Sequence, residues 1–133
     1  AREAYWERVL QDIHGALDVF SDLYSQSKGT DGFVSVEVDP SLAHDTPGTL
    51  SAARLLHERI SRPNVMIKIP ATQQGLPAIR EMIAEGRNVN VTLIFSLSRY
   101  QEVMDAYIEG LEQRMASGSP VSNTASVASF FIS

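Results

Sequence analysis

Val65-Met66-Ile67-Lys68-Ile69-Pro70 is an apolar run interrupted by one lysine and stopped by one proline. Its length and branched residues predict a strand, and proline closes its ladder. Working outward, comparable runs recur at Phe33 to Val38, Asn88 to Phe95 and Val127 to Ile132. Helical patterns separate them. Residues 4–24 place Trp6, Val9, Leu10, Ile13, Leu17, Phe20 and Tyr24 at steps of three or four, with a break expected near Gly15. Thr46-Pro47 reads as N-cap and first helical residue of a helix to about Ile60. Another passes through Ile79 and Ile83 to Gly86, a good C′ residue. Ser98 with Gln101 offers a capping box for the next, which carries Val103, Met104, Tyr107, Ile108 and Leu111.

Strands alternating with helices imply a parallel sheet with right-handed crossovers. An open doubly wound sheet and a (β/α)8 barrel both fit. No glycine-rich phosphate loop follows any strand, which counts against the dinucleotide-binding version of the open sheet. A barrel needs roughly 250 residues, so 133 residues would supply about half of one. The chain has no initiator methionine and closes on an apolar strand-like run without a helix to cover it. The expectation is therefore one domain over residues 1–133, α/β in class, forming a fragment of a longer chain.

Composition removes several functions. The net charge of -5 argues against general nucleic-acid binding. With no cysteine there is neither a disulfide framework nor a thiolate metal site. No run reaches the length of a membrane span and no signal-peptide core is visible, so a cytoplasmic location is the default expectation. Oligomeric state is left open, a homo-oligomer included.

Parity sorts each strand into two faces. Phe33, Ser35, Glu37 and Asp39 oppose Val34, Val36 and Val38; Met66 and Lys68 oppose Val65, Ile67 and Ile69. Asn90, Thr92 and Ile94 oppose Val89, Val91, Leu93 and Phe95; Val127, Ser129 and Phe131 oppose Ala128, Phe130 and Ile132. One face is apolar throughout, while the other gathers Ser35, Glu37, Lys68, Asn90, Thr92 and Ser129 from four strands. In a barrel that face points inward and, near the strand ends, forms the floor of an active site. Charge held in a core costs several kcal/mol or changes its pKa. The apolar neighbours of Lys68 predict a burial that favours the neutral amine, which is a nucleophile towards a ketone. A carboxylate such as Glu37 can then shuttle protons, Thr92 can hold a water, and Asn90 and Ser129 can bind hydroxyls. The bland alternatives are an edge-strand lysine with its amine in water, and a Glu37 that serves only as its ion-pair partner. Glu37 with Asp39 lacks a nearby histidine for a metal site, and His14, His44 and His57 are scattered.

Three segments together, Val36-Glu37-Val38-Asp39, Met66-Ile67-Lys68-Ile69-Pro70-Ala71-Thr72 and Asn90-Val91-Thr92-Leu93-Ile94-Phe95-Ser96, resemble the transaldolases. The closest likeness is to the bacterial branch that includes fusions to phosphoglucose isomerase, and it spans about Ile13 to Ser133. The resemblance implies strands three to six of a (β/α)8 TIM barrel that acts on phosphorylated sugars without cofactor or metal. It implies Lys68 as the Schiff-base lysine, Glu37 as acid/base and Thr92 as holder of the catalytic water. Asn90 and Ser129 are implied as substrate-binding positions, and Phe131 as a pocket aromatic of strand six; Ser35, on the same polar face, is expected to bind substrate beside them. It further implies an aspartate and an Asn-Pro segment upstream of Ala1, and a phosphate-binding arginine just beyond Ser133. The rival expectations are a Schiff-base lyase like the fructose-6-phosphate aldolases, a phosphopyridoxal enzyme, and a non-catalytic barrel or assembly module.

Overall fold

The computed structural model describes residues 2–132. Helix α1 (Arg2–Gln26) leads to β1 (Val34–Glu37), a 3-10 turn at Pro40–Leu42 and α2 (Thr46–Ile60). Then follow β2 (Val65–Pro70), α3 (Gly75–Ala84), β3 (Val89–Ile94), α4 (Leu97–Ala116) and β4 (Ser126–Phe130). The strands form one sheet in the order β1-β2-β3-β4, every pairing parallel. This is the α/β architecture expected for part of a TIM barrel, with each helix carrying the chain back to start the neighbouring strand.

The apolar face of the sheet is the buried one. Val36, Val65, Ile67, Ile69, Val89 and Val91 pack into one core with Ala53, Leu56 and Ile60 of α2, Ala78, Ile79, Met82 and Ile83 of α3, and Val103 and Ala106 of α4. At the base of the strands two buried asparagines tie the loops together. The Asn64 amide donates to the carbonyls of Leu17 and Gly32. That of Asn88 donates to Pro63 and Val65 while its oxygen accepts from the Ala125 amide.

The helix ends refine the sequence expectations. Helix α1 runs unbroken through Gly15. The cap of α2 is Asp45, whose carboxylate accepts from the Gly48 amide, and the Thr46 hydroxyl instead donates to the Gln74 carbonyl. A residue with extended backbone one position earlier can reach the third helical amide, which Thr46, already helical, cannot. In the same way Ser96 caps α4 by accepting from the Arg99 amide, and Gln101 turns to Asp105 rather than back to a capping box at Ser98. Gly86 does stand at C′ of α3: its amide donates to Ile83 and the Arg87 amide to Met82, the paired bonds of a Schellman motif.

Strand β3 departs most from simple parity. Val91 pairs with Ala128, but Ile94 pairs with Phe130, so β3 spends three steps where β4 spends two. The extra residue is Leu93, at φ 58°. This bulge turns Ile94 onto the helix side, where it is 1 % exposed in the core, and corrects its expected place among the inward residues. The strand β4 also begins one residue earlier and ends earlier than expected, which leaves Phe131 and Ile132 beyond it.

Candidate active site

The unburied face of the sheet carries the polar residues, and it is concave. Ser35 on β1 is level with Met66 on β2, which the ladder sets level with Asn88 on β3. Yet the Asn90 amide donates to the Ser35 hydroxyl at 3.1 Å, across the intervening strand and two residues further along. Next-but-one strands lie about 9.5 Å apart in a flat sheet, so two short side chains meet only where the sheet curls inward. A stagger of two residues over two strands is about one per strand, the slope of an eight-stranded barrel of shear 8. In such a barrel alternate strands contribute to the same layer of interior side chains. Ser35 and Asn90 form one such layer, over the buried side chain of Met66. The same slope ranks Lys68 with Ser129 in the next, and Glu37 with Thr92 in the one nearest the C-terminal ends of the strands.

Within this frame five of the expected residues form two connected groups, with Thr92 and Phe131 outside both. Ser129 donates its hydroxyl to Asn90 Oδ1 at 2.9 Å, completing a chain Ser129–Asn90–Ser35. Both ends of the Asn90 amide are thereby oriented, leaving one N–H and one lone pair of its carbonyl free among the described residues. Lys68 and Glu37 stand level on neighbouring strands, with Nζ 3.4 Å from Oε2. Their side chains are 31 % and 52 % exposed, so the enclosure that the apolar neighbours of Lys68 suggested is not built by these residues. Flanking isoleucines point to the opposite face and bury the backbone, not the amine. An open ion pair of this length contributes about 1 kcal/mol or less, which is little reason for a fold to keep it. Thr92 is buried, and its Oγ1 has no hydrogen-bond partner among the described residues. A buried hydroxyl left without a partner points to a bound water or ligand group.

Phe131 lies past the end of β4, not within it, and its ring stacks on that of Phe95, with centroids 5.5 Å apart and planes at 13°. Parity had put Phe95 on the helix side; only the bulge at Leu93, which no sequence rule for a leucine in a strand would flag, brings it to the rim. A cleft of about 320 Å³, lined by Tyr5, Trp6, Glu37 and Asp39 among others, opens where the first turn of α1 passes the end of β1. Arg2 pairs there with Asp39 at 3.4 Å, a contact no sequence pattern signals across that separation. Among the described residues no group of histidines and carboxylates could hold a metal ion, and no helix is long and apolar enough to cross a membrane.

The family model described as transaldolase/fructose-6-phosphate aldolase matches residues 1–133. The chain belongs to this family. Transaldolase 1 of Streptomyces coelicolor is 59 % identical over 131 residues, an alignment covering 98 % of this chain and 34 % of that protein. The transaldolase of Saccharopolyspora erythraea is 54 % identical over 98 % of this chain and 35 % of its own length. Transaldolase 2 of Nostoc sp. is 51 % identical over 97 % and 34 %. The chain thus spans about a third of the length of these curated relatives.

Proposed function

We infer that the full-length protein carrying this segment is a transaldolase that works through a Schiff base on Lys68. It moves a three-carbon dihydroxyacetone unit from sedoheptulose 7-phosphate to glyceraldehyde 3-phosphate, yielding erythrose 4-phosphate and fructose 6-phosphate in the pentose phosphate pathway of the cytoplasm. The observation that carries this reading is the Lys68 amine 3.4 Å from the Glu37 carboxylate on the concave polar face. The family membership supports it.

The chemistry follows from the two groups. The Lys68 ammonium gives a proton to the Glu37 carboxylate, the neutral amine adds to the ketone carbon, and the former carbonyl oxygen takes up the proton that the nitrogen then sheds. Glu37 then protonates the resulting hydroxyl so that it leaves as water, giving the iminium ion. The neighbouring C–C bond breaks as its electron pair flows towards the positive nitrogen, forming an enamine. The hydroxyl on the departing carbon gives up its proton and becomes an aldehyde. Addition of the enamine to the acceptor aldehyde and hydrolysis of the new iminium reverse these steps. Thr92 Oγ1 holds the water used in proton transfer, which would also fill its missing hydrogen bond. Asn90, Ser129 and Ser35 form the hydroxyl-binding floor, and Phe131 the apolar wall.

Borohydride reduction in the presence of fructose 6-phosphate tests the reading on the full-length protein. It should add one reduced sugar unit to the peptide containing Lys68, and none in the Lys68→Ala variant, whose transfer rate falls at least about 10⁴-fold. An adduct that persists in Lys68→Ala assigns the imine elsewhere, and no adduct in the parent favours a non-catalytic barrel. Release of free dihydroxyacetone at an unchanged rate without any aldose acceptor would favour an aldolase.

A further inference from the structure

The bulge in β3 has no role in the reaction as derived above, and it is the one place in a strand where a non-glycine residue takes a positive φ among the described residues. A leucine in this region of backbone space is strained by its Cβ, and such strain persists where the surroundings hold it and where function uses it. Leu93 itself adds little to the core, being 42 % exposed.

What the bulge changes is the register at the rim. Continued from Val91↔Ala128, a regular ladder would set Ile94 level with Phe131 and Phe95 level with Ile132. Instead Ile94 pairs with Phe130, so Phe95 and Phe131 come level with each other just past the ends of their strands. Alternation is reversed at the same point: Ile94 enters the helix-side core, and Phe95, 73 % exposed, is freed from it. The two rings stack nearly parallel at the C-terminal rim, the end of the sheet to which Glu37 and Thr92 are nearest.

We propose that Leu93 and Phe95 are positioning residues of the site: the bulge sets Phe95 beside Phe131, and the Phe95 ring holds the Phe131 ring as an apolar wall over the Lys68 amine. Neither residue touches the reacting atoms. Their action is to fix one wall of a site where an iminium ion must be shielded from bulk water between its formation and its hydrolysis. This rests on the Schiff-base reading and extends it to two residues on the opposite parity from the polar set.

The test uses the full-length protein, with turnover expressed per lysine trapped by borohydride and fructose 6-phosphate. That normalisation removes any loss from misfolding, since unfolded molecules trap nothing. Leu93→Gly accepts the positive φ and should keep turnover per trapped lysine within about twofold. Leu93→Val, β-branched and ill-suited to that backbone, should lower it about tenfold. Phe95→Ala should cost a similar factor, Phe95→Tyr should restore it, and combining Leu93→Val with Phe95→Ala should cost no more than either alone. Parent-like turnover in Leu93→Val, or losses that multiply in the double variant, would overturn the proposal while the Schiff base stands. A parent that traps no sugar overturns the Schiff-base reading and this proposal with it.

Discussion

Lys68 and His57 show how differently the same chain treats its ionisable side chains. Lys68 was legible because a single charge inside Val65–Pro70 breaks an otherwise apolar pattern, and parity joined it to Glu37, Asn90 and Ser129. Its exposure was not legible, since flanking isoleucines describe the other face of the sheet. His57 carried no signal in the sequence, yet it sits in a network between α2 and the start of β3. The Arg87 guanidinium donates to His57 Nδ1 and pairs with Glu58 and Glu85, while Arg54 also holds Glu85. Burial, and next the positive charge of Arg87, hold His57 below the ordinary histidine value; Glu58 and Glu85 oppose them more weakly. The unfolded chain therefore binds the proton more tightly. The stability contributed by neutral His57 is complete above about pH 6.5 and is lost as pH falls towards the lower folded value. Unfolding midpoints of the full-length protein should drop between pH 7.5 and pH 5, with part of that drop absent in His57→Gln. An identical slope in the variant would mean that other groups carry the whole effect.

At the scale of elements, strand and helix identities followed from period and punctuation, while their ends depended on geometry. Asp45 and Ser96 displaced Thr46 and Ser98 as caps because the cap must have extended backbone and a side chain that reaches the third amide. The interface of α3 with α4 likewise rests on a detail that composition hides. A Cβ at Gly110 would stand 2.7 Å from the Arg80 carbonyl oxygen and 2.8 Å from Ile83 Cβ, closer than packed atoms approach. Gly110 is the contact point that lets the two helices approach, so the helix propensity gained by alanine, about 1 kcal/mol, is outweighed. Gly110→Ala should destabilise the full-length protein by about 1–3 kcal/mol, read as a lower denaturation midpoint. A stabilised Gly110→Ala variant would show that the helices can separate at no cost.

For the molecule as a whole, β1 and β4 are edge strands of the sheet, and the Lys68 and Glu37 side chains on the concave face between them are 31 % and 52 % exposed. Phe130, Phe131 and Ile132 are exposed at one edge. Unpaired edges with exposed apolar residues invite association, so the 133-residue segment expressed alone should melt without a cooperative transition and show no turnover. A sharp thermal transition together with sugar transfer by the segment would refute this. By itself the sequence determined the α/β class, the four strands, the apolar face that α2, α3 and α4 cover, and the membership of Lys68 in a polar set. These follow from periodicity, which each strand carries within its own residues. The tertiary structure alone decided the curvature that brings Ser35 to Asn90 across a strand, the openness of the Lys68–Glu37 pair, and the bulge that sets Phe95 against Phe131. Each of these depends on register between segments far apart in the chain, and register is a property of the assembled sheet.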